Sequence, residues 1–274
     1  MADQTNRTGK AARATEPRDG FSPAGAEEEA DIAVIGGGPA GATLARLAGR
    51  NRRVVLLDSR PKEAVGLREK AGEQENGLPP RGKCCGGLLA PDAQAELAAQ
   101  GLTLPLDVLV DPQIFAVQVL DLQHPVLRRL YPRAYVNMDR DRFDRWLLSL
   151  APEGVVRLGA RVRSAERTAE GGFLLRYRED GEERTLRARL LVGADGGQSL
   201  IRRTFFPGRS IRQYAAVQEW YAAEDASPLY GALFDRTLTD CTGWLIAKNG
   251  ALVLGAVNGL RLSNFAMSGS LISI

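Results

Sequence analysis

Three glycines spaced Gly36-x-Gly38-x-x-Gly41 follow the apolar run Asp31-Ile32-Ala33-Val34-Ile35 and precede a stretch in which Ala42, Leu44, Ala45, Leu47 and Ala48 recur at helical spacing. A strand, a glycine turn and a helix in that order form a place to hold a diphosphate. The first glycine permits the turn, the second lets backbone approach the anion, and the third lets the helix pack closely on the sheet. Pro39 and Ala40 open the helix, whose unpaired N–H groups and positive dipole end stabilise negative charge without a lysine. The next apolar run, Val54-Val55-Leu56-Leu57, ends in Asp58, with Ser59 following as a further candidate. An acid roughly 20 residues beyond the first glycine is suited to accept hydrogen bonds from ribose hydroxyls. The glycine spacing is weak alone and gains its weight from this βαβ setting, which points to a dinucleotide.

Two more clusters carry possible chemistry. Gly193-Ala194-Asp195-Gly196-Gly197 closes a long strand pattern over 185–192, where irregular backbone can approach a ligand; by itself it is equally a bare turn. Lys83-Cys84-Cys85-Gly86-Gly87-Leu88 ends a loop rich in glycine and proline over 66–87, and a loop of that length is usually functional or mobile. For Cys85, an inert buried thiol and a functional one stay equally open, because thiol reactivity depends on local geometry. Cys84, Cys85 and Cys241 are too few and too unevenly spaced for a disulfide framework or a four-ligand zinc site, which favours a reducing, cytoplasmic setting. His124, the only histidine, has no partners suggested for a metal or a triad and is expected at the surface.

The elements that must position these residues are α/β in type. A βαβ unit over 31–58 is followed by a helix pattern at 92–100, weakly alternating edge strands over 114–136 and an amphipathic helix at 140–150. Strands then predominate from 155 to 192 with an Asp180-Gly181 turn, before a helical patch at 199–203 and four more strands up to Val257; residues 264–274 are unpatterned. Residues 1–29 show no periodicity able to bury a face and are expected to be a disordered leader. A nicotinamide dehydrogenase would continue with further βαβ repeats, whereas this chain passes to a loop and a β-meander, which favours FAD. The expected architecture is a Rossmann-like FAD-binding domain with a β-meander, formed from 30–82 and 137–204. A second, substrate domain on a mixed or antiparallel sheet is expected from 83–136 and 205–274.

Composition narrows the functional classes. The chain has 274 residues, 44% hydrophobic and 25% charged, within the globular range. Its 36 basic and 33 acidic side chains nearly cancel, and its arginines are scattered, so no nucleic-acid partner is expected. The apolar stretch Trp244–Val257 is interrupted by Lys248 and Asn249 and falls short of the roughly 20 residues a membrane span needs.

Together these motifs resemble the flavoproteins that include p-hydroxybenzoate hydroxylase, and above all their geranylgeranyl reductase branch. The resemblance rests on the glycine turn with Asp58, the Cys85-Gly86-Gly87-Leu88 loop, Gly193–Gly196 with Ser199 and Arg202, and, less specifically, Arg140-x-x-Phe143-Asp144-x-x-Leu147. It covers residues 31 to about 260. It implies that Arg140 contacts the flavin nucleotide and that Asp195 and Gly196 brace the FAD near the path of the reductant. It also implies that the Cys85 loop lies beside the isoalloxazine at the floor of the substrate cavity, with Gly86, Gly87 and Leu88 on the substrate side. Trp220, within Gln218-Glu219-Trp220-Tyr221, is expected to line that cavity or simply to pack. The implied chemistry is NAD(P)H-driven reduction of isoprenoid double bonds on FAD, with aromatic monooxygenation and a non-catalytic FAD-binding remnant as alternatives. The substrate is then a small, apolar molecule, for which peripheral membrane contact is reasonable although no amphipathic anchor is evident. Proteins of this kind carry a late Gly-Asp motif that is absent here after Gly197, so C-terminal truncation is expected.

Overall fold

The computed structural model describes residues 28–62, 85–124, 128–209, 211, 213–223, 227–239, 241–258 and 270–273. Cys84, most of the glycine-rich loop and residues 1–27 lie outside the described residues.

The first sheet has six strands. Its parallel part comprises β1 (Glu28–Ile35), β2 (Val54–Asp58), β6 (Val156–Leu158) and β9 (Glu182–Gly193), and an antiparallel meander adds β7 (Arg161–Arg167) and β8 (Phe173–Glu179). The spatial order is β6-β2-β1-β9-β8-β7. Strands buried on both faces need continuous apolar runs, and β2 accordingly buries Val54, Val55, Leu56 and Leu57. Alternate residues serve opposite layers. Val34, Val54 and Leu56 pack under α1 (Pro39–Ala48) and α3 (Arg140–Ser149), while Ala33, Ile35, Val55 and Leu57 share a core with Leu175, Tyr177 and Leu186 of the meander. β1 lies between β2 and β9, so the chain departs in both directions from it; the carboxyl ends there form the crevice in which open α/β sheets bind ligands.

The second sheet has eight strands in the order β14-β10-β13-β12-β11-β4-β5-β3. These are β3 (Leu88–Leu89), β4 (Ile114–Asp121), β5 (Arg128–Asn137), β10 (Ala215–Ala222), β11 (Leu229–Phe234), β12 (Gly243–Lys248), β13 (Ala251–Asn258) and β14 (Ser270–Ser273). Only β4 and β11 pair in parallel among the described strands, so of the mixed and antiparallel alternatives the sheet is mixed.

Several elements differ from expectation. β1 starts at Glu28, inside the expected leader: Glu28 pairs with Leu186, and its carboxylate meets Arg157 at 3.0 Å and the Tyr177 hydroxyl at 3.3 Å. β4 is an interior strand, because β11 covers its other edge. Pro132 is accommodated on β5 because β3 pairs with that strand only at Val136 and Asn137. β14 forms within the tail expected to be unpatterned, by pairing with β10. Finally, Leu89 and Val108, assigned to the second domain by sequence, are buried in the helix-side core of the first sheet together with α2 (Pro91–Ala99) residues Ala93 and Leu97. The segment after residue 83 therefore packs against both sheets.

Candidate functional site

A cleft of about 500 Å³ opens at the carboxyl ends of β1, β2 and β9, a size typical of small-molecule and cofactor sites. Gly36, Gly38, Asp58, Ser59, Asp195 and Gly196 all line it. The two glycine clusters, more than 150 residues apart in sequence, are thus adjacent in space.

The glycines divide the work as their spacing predicts. Gly36 has φ of +101°, and a Cβ there would lie 2.3 Å from the Ala194 carbonyl oxygen. A Cβ on Gly41 would lie 1.9 Å from the Gly36 carbonyl oxygen, whereas one on Gly38 would meet nothing within 4 Å. Gly38 therefore faces space where a ligand can approach backbone. It is also the N-cap of α1, and no side chain caps that helix, so its first-turn N–H groups remain for an anion. Pro39 and exposed Ala40 form that turn without lining the cleft.

Asp58 ties β2 to the turn. Its Oδ2 accepts from the Gly37 N–H and its Oδ1 from the Arg60 N–H at 2.7 Å. Each carboxylate oxygen can accept more than one hydrogen bond, so ribose hydroxyls remain possible partners. Arg60, which also lines the cleft, was not singled out by sequence reasoning. Its Nη2 donates to buried Asp144 at 3.2 Å, while its Nη1 is buried without a hydrogen-bond partner among the described residues. A buried donor without a partner is costly and needs an explanation such as a ligand. This orphaned guanidinium nitrogen, the open space at Gly38 and the uncapped helix together fit the phosphate-bearing half of FAD. The only signal for Arg60 was its place two residues beyond Asp58.

Asp195 lines the cleft and also has a local role. Its Oδ2 accepts from the N–H groups of Leu200 at 2.7 Å and Ile201 at 3.2 Å, and its Oδ1 from the Ser199 hydroxyl at 2.5 Å. It fixes the start of α4 (Leu200–Phe205) at the cleft wall.

Arg140 and Cys85 do not line this cleft. They lie together beside it, with Arg140 Nη1 3.8 Å from Cys85 Sγ. Arg140 Nε donates to Asp144 Oδ1 at 2.8 Å, so Asp144 receives both arginines. Burial disfavours the Arg140 charge, but Asp144 and Cys85 together outweigh it and the pKa is raised. The Cys85 loop rests on the second sheet. A Cβ on Gly86 would approach Ile246 to 3.1 Å, and Leu88 packs into the cluster containing buried Trp220, Ile246 and Val253. Leu88 and Trp220 thus belong to one apolar cluster on that sheet, and the Trp220 indole N–H has no partner among the described residues. His124 is exposed and paired with Asp121 at 3.1 Å. Among the described residues no cluster suited to a metal occurs, and no helix is long and apolar enough to cross a membrane.

Sequence reasoning also misses Lys248, which in the sequence only interrupts an apolar stretch. It is buried at the end of β12 and donates to Asn137 Oδ1 at 2.6 Å and to the Met138 carbonyl at 2.8 Å. Burial pushes its pKa down to about 7 against the opposing charges of Cys85 and Asp139.

Residues 118–221 match the family model described as an FAD binding domain. Protein CbrA of Shigella sonnei and of Escherichia coli O157:H7 are each 40% identical over 235 residues, covering 85% of this chain and 62% of theirs. The chain thus spans about three-fifths of the length of these curated relatives. Among solved structures, a geranylgeranyl bacteriochlorophyll reductase-like protein of Thermoplasma acidophilum matches with a TM-score of 0.68 at 17% identity, over 91% of this chain and 66% of that one. Aklavinone-11 hydroxylase, solved with FAD and aklavinone, matches with a TM-score of 0.60 at 19% identity, over 90% of this chain and 53% of that one. The fold of the chain is thus similar to that of a geranylgeranyl reductase-like protein and of a flavin hydroxylase, and residues 118–221 match an FAD binding domain.

Proposed function

We propose that the protein is an FAD-dependent oxidoreductase that reduces isoprenoid carbon–carbon double bonds at the expense of NADH or NADPH. The observation that carries this reading is the single cleft uniting the Gly36–Gly38 turn, Asp58 and the Asp195–Gly196 turn. FAD in that place supplies reversible two-electron chemistry, exchanging hydride with a reduced pyridine nucleotide and with the substrate double bond. The chain's own contribution is binding and orientation. Backbone at Gly38 and the first turn of α1 hold the diphosphate, Asp58 accepts from ribose, and Arg60 offers its unused Nη1 to a phosphate oxygen. Gly86 and Gly87 let backbone lie close to the flavin ring, with Arg140 beside Cys85 and held by Asp144. Leu88 and Trp220 lie on the apolar face where a hydrocarbon substrate would rest, and the free thiols Cys85 and Cys241 suit a reducing cytoplasm.

Three measurements on the purified chain test this. Its visible spectrum should carry oxidised-flavin bands, either as isolated or after incubation with FAD. Under anaerobic conditions it should oxidise NADH or NADPH when given a polyprenyl substrate, yielding a product with two more hydrogens per reduced bond. A strict need for oxygen with a hydroxylated product would replace the reductase by a monooxygenase, and a chain that stays colourless with excess FAD would make it a non-catalytic remnant.

A further inference from the structure

Oxygen atoms from two separate segments converge on one amine. Lys248 is 3% exposed, and its Nζ donates to Asn137 Oδ1 at 2.6 Å, the Met138 carbonyl at 2.8 Å and the Gly87 carbonyl at 3.4 Å. Asn137 is fully buried and oriented from its other side: its Nδ2 donates to the carbonyls of Pro112 at 2.9 Å and Ala247 at 2.7 Å, and its N–H donates to Gln113 Oε1 at 3.0 Å. With the amide nitrogen so engaged, Oδ1 can only face the lysine. The Gly87 carbonyl also accepts from the Met138 N–H at 2.8 Å. A Cβ on Gly87, whose φ is +61°, would lie 2.8 Å from the lysine nitrogen and 2.3 Å from the Met138 carbonyl oxygen, so the loop descends this far only because residue 87 is glycine.

We propose that Lys248 is the positioning residue of the Cys85–Gly87 loop: the three donors of its ammonium match three oxygens and tie the loop to the second sheet, and loss of one proton leaves the Gly87 carbonyl with the Met138 N–H as its remaining donor. A neutral amine keeps two N–H donors, enough for Asn137 and Met138 at the short distances, and the longest contact is the one given up. Burial brings this exchange near neutral pH. The ionisable groups acting on the amine are Cys85 from the loop and Asp139 from the head of α3; β13 presents Ala251 and β5 presents Asn137, neither of which titrates. What the clamp does for catalysis rests on the proposed place of the loop beside the flavin, but the clamp itself does not.

The test is amide hydrogen exchange of the chain without added FAD, corrected for intrinsic rates. In the wild type, protection at Gly87, Leu88 and Met138 should fall roughly tenfold between about pH 6 and about pH 8, the scale of losing one hydrogen bond to a charged donor. Lys248→Met should be poorly protected at both pH values with no step. Lys248→Arg, charged throughout, should retain protection at the higher pH. Amides of β1 and β9 should be unchanged, which separates a local effect from unfolding. A flat wild-type profile, or a step that survives in either variant, overturns the proposal; if Lys248→Met does not fold, the wild type and Lys248→Arg decide it alone. FAD uptake, followed by visible absorbance, is a separate arm: a wild type that takes up no flavin refutes the proposed cofactor and leaves the exchange result standing.

Discussion

Gly41 packs so closely on Gly36 that a Cβ on the first would lie 1.9 Å from the carbonyl oxygen of the second, while the intervening Gly38 faces open space. The two substitutions should therefore fail differently. Gly41→Ala forces backbone apart and should destabilise the fold by roughly 1–3 kcal/mol, as overpacking does. Gly38→Val should leave the urea midpoint nearly unchanged, yet abolish flavin retention by filling the approach to the diphosphate. A yellow Gly38→Val protein would contradict that placement.

Asp144 should be the most sensitive carboxylate among the described residues. Its side chain is wholly buried and receives Arg140 on one oxygen and Arg60 on the other. Removing one partner of a buried ion pair strands the remaining charges, at a cost of about 3–5 kcal/mol. Asp144→Ala should lose that much in urea unfolding, and Asp144→Asn less, because one acceptor oxygen survives. Equal stability of Asp144→Ala and the wild type would mean that the arginines find other partners.

The parts of this architecture legible in sequence are those set by local pattern. β2 occupies Val54–Asp58 as read, because a strand buried on both faces must be apolar throughout. α1 and its turn are fixed by glycines whose roles are steric. The illegible parts depend on partners distant in the chain. Glu28 joins β1 through Arg157 and Tyr177, and β14 exists through pairing with β10. Leu89 and Val108 enter the first core although their neighbours build the second sheet. The candidate site divides likewise: Gly36, Gly38 and Asp58 were readable from spacing, whereas Arg60 and Lys248 are recognisable only once burial and their carboxylate or carbonyl partners are seen.

Asp195 should act on stability before it acts on cofactor. Its carboxylate accepts from two N–H groups of α4 and from Ser199, whose hydroxyl in turn accepts from the Arg202 N–H at 2.9 Å. Loss of a helix cap costs typically about 1 kcal/mol and up to about 2 kcal/mol. Asp195→Ala should fall at the upper end of that range and raise the FAD dissociation constant as the cleft wall loosens. Ser199→Ala should cost less stability. If Asp195→Ala lost flavin with no change in thermal midpoint, direct contact rather than capping would be its main role.

Lys248 should leave a signature in the pH dependence of stability. Its pKa lies near 7 in the folded protein, against an ordinary value of 10.5. Between those values the unfolded chain binds more protons than the native one, so stability rises with pH across that window; below it both states are protonated and the cost of burying the charge is fully present. The difference in urea midpoint between the wild type and Lys248→Met cancels the other titrating groups. It should shift in favour of the wild type as pH rises from about 7 towards 10. A difference that stays flat, or moves the other way, would mean that the amine is not desolvated as its surroundings indicate. The expected trend has a consequence for the loop, because the deprotonation that favours the fold as a whole also removes one of the two donors to the Gly87 carbonyl.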